Sequence, residues 1–344
     1  MMTPTISVVL PVYNERENLD ALMARLVPVI ERAADGSFEI LFVDDGSRDG
    51  SSEFLDSLHS RDARVKVIHF SRNFGHQAAL QAGLDEATGK AVILMDADLQ
   101  DPPEVITQFV ENWQLGYDVV YAIRKRRKEG FLKRAAYSLF YRTLKAIAEI
   151  DLPLDVGDFC LIDRSVVQVL ASLPERNRFL RGLRSWVGFN QTGIEYERHS
   201  RHSGIPKYTL RKLISLAFSG YIGFSAMPLR AAAWLGILSA SAGFATALWT
   251  IVSKITGFPS PWGWASIMAV ILFVGGVQLI VLGVIGEYLG RVYDEVRQRP
   301  LYIARSRVGL PNGRATLADA GTAHTAVDKL TKFQTAVHEA VSPL

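Results

Sequence analysis

Two aspartates separated by one residue, Asp96 and Asp98, have the type and spacing of metal ligands. They follow the apolar residues 91–95, which predict a buried strand, and strand side chains alternate between the two faces. We therefore expect both carboxylates to point the same way at the end of that strand. Two carboxylates so placed repel each other, and a hard divalent cation bound by oxygen atoms relieves the repulsion. Gln100 adds a neutral oxygen two residues later, so the pattern predicts a divalent-metal site.

A lone Asp-x-Asp is also typical of an ordinary acidic turn, so the surrounding sequence has to decide its meaning. The residues that follow, Pro102, Pro103 and Glu104, predict the first turn of a helix, and Asp101 stands where its N-terminal cap would be. The residues that precede the pair give the stronger indication, because they predict the sheet that would position it.

Four apolar runs predict the strands of this sheet: residues 6–12, 38–43, 65–70 and 91–95. Helical patterns separate them, and strand–helix alternation with short loops is typical of an α/β domain with a mostly parallel sheet. Ligands in such sheets bind beyond the carboxyl ends of the strands. All four ends carry polar side chains: Tyr13, Glu15, Asp44, Asp45, Arg72, Asn73, Asp96 and Asp98. Their convergence on one rim predicts a binding site.

The sequence lacks the usual glycine-rich nucleotide motifs. No Gly-x-Gly-x-x-Gly follows the first strand, which disfavours a nicotinamide dinucleotide, and there is no Walker loop. A nucleotide whose diphosphate is bound by a metal ion remains possible.

Two uncharged stretches, residues 231–253 and 255–286, each exceed the roughly 20 residues needed to cross a bilayer. Residues 257–264 contain two prolines and two tryptophans, typical of a turn at the membrane interface. The pattern predicts a transmembrane hairpin with spans near 230–252 and 265–287. A buried helix pair in a soluble protein is the alternative.

Charge placement predicts the orientation of this hairpin. Basic residues flank the two spans on the outer sides, whereas Lys254 alone lies in the connecting loop; they are Arg211, Lys212, Arg230, Arg291, Arg297 and Arg299. No basic leader or cleavage site opens the sequence. We therefore expect a multi-pass protein of the inner (plasma) membrane with its catalytic part and both termini in the cytoplasm. The single cysteine, Cys160, excludes an internal disulfide and fits a reducing compartment.

The net charge of +3 conceals two basic zones, residues 124–145 and 174–212. In a membrane-tethered protein such zones indicate phosphate groups or anionic lipid rather than a nucleic-acid face. A helix predicted near residues 131–150 has Arg134, Ser138, Arg142 and Lys145 on one side, and a basic amphipathic helix lies naturally at a membrane surface. An ordinary solvated face is the alternative. Residues 209–224 repeat the amphipathic pattern before the first span.

Four motifs give the sequence a family resemblance: Pro11-Val-Tyr-Asn-Glu15, Asp44-Asp-Gly-Ser47, Ser71-Arg-Asn-Phe-Gly75 and Asp96-Ala-Asp-Leu-Gln-Asp-Pro-Pro103. The chain resembles the family 2 glycosyltransferases with a GT-A fold. More closely, it resembles the polyisoprenyl-phosphate glycosyltransferases of the dolichol-phosphate mannose synthase type. Within these it is most similar to the bacterial GtrB-like group, which glucosylates undecaprenyl phosphate. The match runs from about residue 5 to 300.

The resemblance implies the roles of particular residues. It implies a nucleotide-sugar pocket formed by Pro11, Tyr13, Asn14, Glu15, Val43, Asp45, Asp96 and Ala97. It implies a Mg²⁺ or Mn²⁺ ion on the diphosphate, held by Asp96, Asp98 and Gln100. Groups beside the phosphates would be Arg124, Arg201 and Lys207, and the lipid phosphate would lie near Arg134 and Ser138. Asp158 falls where these enzymes place an essential carboxylate near the sugar.

Two positions depart from the family pattern. An arginine is usual after Gly-Asp-Phe, and this chain has Cys160; a serine or threonine is common before the Lys-Tyr pair, and this chain has Pro206. The first puts one cation of the site in doubt, and the second changes the loop expected to close over the phosphates. Arg181 and Arg184, which lie shortly before Trp186, only loosely match the Gln-x-x-Arg-Trp box of processive synthases, and a core or surface role is as well supported.

The resemblance implies an inverting enzyme that transfers a hexose, best glucose from UDP-glucose, onto undecaprenyl phosphate for cell-envelope glycosylation. Arg124, Lys133, Arg134 and Lys207 would offset the repulsion between its two anionic substrates. A GDP-mannose-dependent mannosyltransferase and a catalytically impaired sugar-nucleotide-binding membrane protein are the alternatives. A processive synthase would need more spans. We also expect a homo-oligomer, and a separate flippase, because two spans cannot form a translocation path.

The predicted organisation has four parts. A GT-A catalytic domain occupies residues 1–205, an amphipathic juxtamembrane segment 206–228, two transmembrane helices 229–288, and a cytoplasmic tail 289–344. The tail from about residue 305 shows weak periodicity and is predicted to be helical or disordered, with no role in the chemistry.

Overall fold

One eight-stranded mixed sheet organises the chain. The structure, a computed structural model, describes residues 4–124, 156–175, 178–197, 227–256 and 264–310. The strands run in the spatial order β7-β5-β6-β4-β1-β2-β3-β8. Their bounds are β1 (Ile6–Val12), β2 (Phe38–Asp44), β3 (Val65–Phe70), β4 (Ala91–Leu94), β5 (Val119–Arg124), β6 (Val156–Asp163), β7 (Gln191–Tyr196) and β8 (Ala304–Val308).

The centre of the sheet is parallel, and its flanks contain antiparallel pairs together with the parallel pair β5–β7. Strands β4, β1, β2 and β3 pair in parallel, β6 is antiparallel to both β4 and β5, and β8 is antiparallel to β3. The predicted α/β fold with a mostly parallel sheet is therefore confirmed for the first four strands. Since they are parallel, their carboxyl ends meet at one edge, as the sequence predicted.

Helices cover both faces of this sheet. Within the described residues they are α1 (Arg16–Ala33), α2 (Ser51–Arg61), α3 (His76–Glu86), α4 (Val105–Gln114), α5 (Arg164–Ser172) and α6 (Leu180–Trp186), followed by α7 (Met227–Thr256) and α8 (Trp264–Arg297). The apolar stripe of α1 that the sequence shows, Leu19, Leu22, Leu26 and Ile30, is completely buried. Continuous burial of β1 and β2 explains their uninterrupted apolar sequences, because both faces of these strands are covered.

The last described segment joins the sheet, which the sequence analysis did not predict. Backbone pairing of β8 with β3 continues through the Ser71 amide, which donates to the Ile303 carbonyl at 2.9 Å. The Tyr302 ring stacks on Phe70 with centroids 5.0 Å apart, and its hydroxyl donates to Asp85 at 3.2 Å. The predicted helical or disordered tail is therefore wrong for residues 304–308. Residues 301–310 belong to the catalytic domain in space, although the sequence separates them from it by the hairpin.

Helices α7 and α8 pack against each other and expose apolar side chains over most of their length. Phe244 of α7 is 73% exposed and Leu279 of α8 is 72% exposed. Water would strongly disfavour such a surface, whereas lipid would not. In the ranges that the structure describes, one stretch, Phe273–Arg297, is both long enough and apolar enough to cross a membrane. The described side chains of this helix pair are exposed and not buried, and the crossing of the bilayer by both helices stays a prediction.

Candidate active site

The loops after β1 and β2 are tied together by polar contacts. The Asn14 amide donates to Ser47 Oγ at 3.0 Å, and Asn14 Oδ1 accepts from the Arg48 amide at 2.8 Å. Asn14 has a φ of 56°, a left-handed conformation that asparagine tolerates better than most residues. Glu15 accepts from the Asn18 side chain at 2.6 Å, and Tyr13 is partly exposed at the rim. Pro11 and Val43 pair in register on the two strands beneath these loops.

Asp44 and Asp45 are adjacent but have different surroundings. Although burial opposes its charge, hydrogen bonds from His69, Ser47 and Ser52 lower the pKa of Asp44 to about 2. This carboxylate is 1% exposed, and its hydrogen bonds stabilise the fold. The Asp45 carboxylate accepts from the amides of Phe74 and Gly75, at 2.6 and 3.0 Å, and so draws the β3–α3 loop over the end of β2. Burial raises its pKa.

The metal motif lies in a turn and not on the strand. β4 ends at Leu94, so strand alternation does not explain why Asp96 and Asp98 lie together, and that part of the prediction is wrong. The turn is instead built by Asp98, whose Oδ1 accepts from the Gln100 amide at 3.1 Å, and by Leu99, whose φ is 59°. A buried leucine in this conformation is unfavourable, and strain of this kind is concentrated at functional sites. Ala97 is buried beneath the turn.

The charge around Asp96 fits a bound cation. Burial and repulsion by Asp101, Asp98 and Asp158 raise the pKa of Asp96 to about 6, although the nearby His76 opposes the shift. Among the described residues, no group of three His, Cys, Asp or Glu side chains is arranged to hold a metal ion. Mg²⁺, however, is commonly held by one or two carboxylates together with substrate phosphates. Asp96, Asp98 and Gln100 fit that kind of site.

Asp158 reaches the same rim because of the antiparallel register of β6. Cys160 pairs with Leu94, so Asp158 comes opposite Asp96, which lies just beyond the end of β4. Two cations contact this carboxylate. Arg181 Nη2 lies 3.2 Å from Oδ2, and His76 Nε2 lies 3.5 Å from Oδ2 and 3.6 Å from Asp96 Oδ1. Against the effect of burial, Arg181 and His76 hold the pKa of Asp158 well below its usual range, and the two carboxylates raise the pKa of His76 to about 9.

Arg124 ends β5 and lies against the backbone of Gly157. A β-carbon at Gly157 would be 2.8 Å from Arg124 Nη2. The Nε atom of Arg124 lies 3.4 Å from the hydroxyl of Tyr196, and that hydroxyl donates a short hydrogen bond to Asp101. Asp101 is therefore not the helix cap predicted from sequence, since α4 begins at Val105 and the buried Asp101 carboxylate accepts from Tyr196.

Comparison with known proteins gives the chain its family. The uncharacterized glycosyltransferase YkcC of Bacillus subtilis (strain 168) is 46% identical over 309 residues, which cover 90% of this chain and 95% of that protein. The glycosyl transferase family 2 model matches residues 7–170. The chain is a family 2 glycosyltransferase. Its α7–α8 region, residues 227–292, matches the GtrB C-terminal hairpin model, which confirms the resemblance read from the sequence motifs and the two-helix hairpin.

Other relatives of this glycosyltransferase have more specific names. The bactoprenol glucosyl transferase of Shigella phage SfX is 43% identical over 303 residues, which cover 88% of this chain and 99% of that protein. Among solved structures, the mannosyltransferase PcManGT from Pyrobaculum calidifontis in complex with GDP-Man and Mn²⁺ is 16% identical and has a TM-score of 0.41, with 97% of this chain and 83% of that chain covered.

The described part of the glycosyltransferase brings together most of the residues singled out from the sequence. Five of them, Lys133, Arg134, Ser138, Arg201 and Lys207, lie outside the described residues, as do both predicted amphipathic segments. Their roles stay predictions.

Sequence reasoning missed His76 and the role of Arg181. His76 directly follows the Ser71–Gly75 motif at the start of α3, which was the one available signal. The structure explains in part the departure from the family pattern at Cys160. This residue is completely buried in β6 beside Arg184, and burial raises the pKa of its thiol. The guanidinium next to Asp158 therefore comes from α6 and not from position 160.

Proposed function

We propose that this glycosyltransferase moves glucose from UDP-glucose onto undecaprenyl phosphate, giving a lipid-phosphate-sugar for cell-envelope glycosylation. One observation carries the acceptor class: the match to bactoprenol glucosyl transferase extends over nearly the full length of both proteins, hairpin included. The exposed apolar faces of α7 and α8 support a substrate that resides in the membrane. GDP-mannose is the alternative donor, because nothing in the described pocket selects the base.

The sugar nucleotide would bind at the ends of β1, β2 and β4. Tyr13, Asn14, Glu15 and Asp45 border the space in which its base and ribose would lie, and carboxylates suit the donor groups of both. The diphosphate would lie toward Asp96 and Asp98, where a Mg²⁺ or Mn²⁺ ion, when bound, would supply Lewis-acid stabilisation of the leaving nucleoside diphosphate. Arg124, Arg201 and Lys207 would add positive charge at the same phosphates.

The acceptor needs little help from a base. A lipid monophosphate is already anionic near neutral pH, since its second pKa is about 6. The protein has instead to bring two anions together and hold the acceptor oxygen in line with the anomeric carbon. Direct displacement then inverts that carbon. Lys133, Arg134 and Ser138 are the residues proposed to orient the lipid phosphate.

Asp158 is proposed to orient the sugar and not to remove a proton. Its pKa lies well below the usual range because Arg181 and His76 stabilise the carboxylate. A group so stabilised is a poor base and a good hydrogen-bond acceptor for a sugar hydroxyl. Its position opposite Asp96 supports a role on the proposed donor side of the site.

The proposed setting is the cytoplasmic face of the inner membrane. Both spans would cross, both termini would be cytoplasmic, and the protein would form a homo-oligomer and depend on a separate flippase. The four predicted parts remain a proposal, with two changes: α8 extends to Arg297, and residues 304–308 pair with β3 of the catalytic sheet.

A direct assay tests this function. Purified protein is incubated with undecaprenyl phosphate and a panel of UDP- and GDP-hexoses, with and without EDTA, and the lipid product is identified by mass spectrometry. We expect glucosyl-phosphoryl-undecaprenol from UDP-glucose, and its loss in EDTA.

Two variants extend the assay. Asp98→Asn should lose about 100-fold or more in turnover, since metal Lewis acidity supplies several kcal/mol. Asp20→Asn, which changes an exposed carboxylate on α1, is the matched control and should behave as the wild type. Near-normal turnover of Asp98→Asn with saturating Mg²⁺ or Mn²⁺ would contradict the metal assignment. Absence of any lipid product with every donor would contradict the function itself.

A further inference from the structure

The contact between Arg181 and Asp158 has the geometry of a positioning device. Two different nitrogens of the guanidinium reach two different carboxylate oxygens: Nη2 lies 3.2 Å from Oδ2 and Nε lies 3.4 Å from Oδ1. A fork of this kind fixes the plane of a carboxylate, which a single point charge cannot do. The carboxylate retains acceptor capacity, because each oxygen can accept more than one hydrogen bond.

Helix α6 presents Arg181 from a fixed position. The Leu180 amide, at the first residue of the helix, donates to Gln77 Oε1 at 3.0 Å and so joins the start of α6 to the start of α3. Leu180 and Leu183 are buried in the apolar cluster beneath the helix. His76, the second cation on Asp158, precedes Gln77 at the start of α3. The three elements β6, α3 and α6 therefore meet at this one carboxylate.

The two arginines of α6 differ in where they lie. The Arg181 side chain is 28% exposed and that of its partner Asp158 is 16% exposed, so this ion pair lies at the surface of the rim. One turn along the same helix, Arg184 is 3% exposed and lies over the Tyr121 ring at 5.4 Å. Arg184 packs into the domain, whereas Arg181 faces the rim where Asp96 lies.

We propose that Arg181 is a positioning residue, which holds the Asp158 carboxylate in the orientation that accepts hydrogen bonds from hydroxyl groups of the donor hexose. The inference rests on the proposed function and deepens it, because it assigns recognition of the sugar ring to a pair contributed by β6 and α6. Arg181 acts through Asp158 and touches no reacting atom. Loss of the fork leaves the nucleotide pocket intact and removes the alignment of the sugar.

Kinetics of four proteins test this role: wild type, Arg181→Met, Asp158→Asn and the double variant. A misplacement of about 1 Å can cost on the order of 100-fold in rate, so Arg181→Met should lower kcat by roughly 10- to 100-fold. In the Asp158→Asn background the same change should cost less than about 3-fold, because the carboxylate it orients is already gone. Arg181→Lys should recover part of kcat, since it restores charge without the fork.

Thermal unfolding and a matched variant separate positioning from folding. Arg184→Met changes the same residue type on the same helix, and it should lower Tm while the kcat of folded protein stays within about 2-fold of wild type. Arg181→Met should change Tm little. Equal losses of kcat from Arg181→Met in both backgrounds, or a loss of kcat that follows Tm, would overturn the proposal.

A binding measurement keeps the outcome independent of the acceptor. The affinities of UDP-glucose and of UDP are compared by calorimetry, and the ratio reports the contribution of the sugar. Arg181→Met should reduce this ratio and leave UDP binding unchanged. If the wild type makes no lipid product with any donor, the proposed function fails, but the ratio still tests Arg181 with whichever sugar nucleotide binds. An unchanged ratio, or an equal loss for UDP, contradicts the role.

Discussion

Replacement of Gly157 by alanine should impair catalysis with little effect on folding. The added β-carbon would lie 2.8 Å from Arg124 Nη2, whereas ordinary contacts are about 3.5 Å or longer. The guanidinium therefore has to move by about 0.7 Å. Because it is the far end of a flexible side chain, the movement costs little stability, but it disturbs the 3.4 Å contact with the Tyr196 hydroxyl.

The expected loss follows from the geometry of phosphate binding. Charge-assisted hydrogen bonds span about 2.7–2.9 Å, so a displacement of about 0.7 Å takes the donor beyond useful range. A hydrogen bond to a charged group contributes about 1.5–3 kcal/mol, which corresponds to a loss of about 10- to 150-fold in kcat/KM for the sugar nucleotide. The assay is lipid-product formation at several donor concentrations, with Tm measured on the same samples.

A double variant decides whether the effect passes through Arg124. Gly157 also adjoins Asp158, so the loss could arise there. If Arg124 is the target, Gly157→Ala should add almost nothing in an Arg124→Ala background. Wild-type kcat/KM in Gly157→Ala would refute the reasoning about Arg124, and a full additional loss in the Arg124→Ala background would assign the effect to Asp158.

Four further predictions concern the core, the acid limb, the metal and the acceptor. Gly83→Ala places a β-carbon 2.1 Å from Val9 Cγ1, so overpacking should lower the free energy of unfolding by about 1–3 kcal/mol in chemical denaturation. The pKa of Asp44 is lowered to about 2, so its contribution to stability is present above about pH 4 and is lost as pH falls through 2. In Asp44→Asn the free energy of unfolding should therefore depend less on pH in this acidic range. Because the pKa of Asp96 is raised to about 6, protons compete with metal, and Mn²⁺ should raise Tm more at about pH 7.5 than at about pH 5; equal shifts would contradict the site. Arg134→Ala should weaken use of lipid phosphate by about 10- to 150-fold with sugar-nucleotide binding unchanged, as measured in detergent with undecaprenyl phosphate.

The parts of the fold that sequence predicted correctly are those with local signals. Strands β1 to β4 are apolar and alternate with helices, so their parallel pairing follows from general rules of α/β sheets. Because these strands are parallel, the polar residues at their carboxyl ends were also correctly predicted to meet at one edge of the sheet. The bounds of β1 and β3 agree with the predicted ones, and β2 and β4 differ by a single residue at the end.

Long-range contacts account for what the sequence did not predict. Strand β8 has the sequence Ala-Arg-Ser-Arg-Val, which carries no apolar run, and its partner β3 lies more than 200 residues earlier. Edge strands of this polar kind have weak local signals. The Arg181–Asp158 contact depends on how α6 packs on α3, and Asp101 finds its partner in Tyr196, 95 residues away. Neither spacing nor periodicity encodes such pairs.

The return of the chain to β3 after α8 determines how this protein can be shortened. A truncation before α7, which would remove the hairpin to obtain a water-soluble catalytic domain, also removes β8 and Tyr302. The backbone of Val67–Phe70 would then be an unprotected edge, and the Phe70 ring would lose its stacking partner. Open edges of this kind recruit strands from other molecules and promote aggregation. A usable soluble enzyme therefore requires residues 298–310 to be rejoined to the domain by a linker that replaces the hairpin.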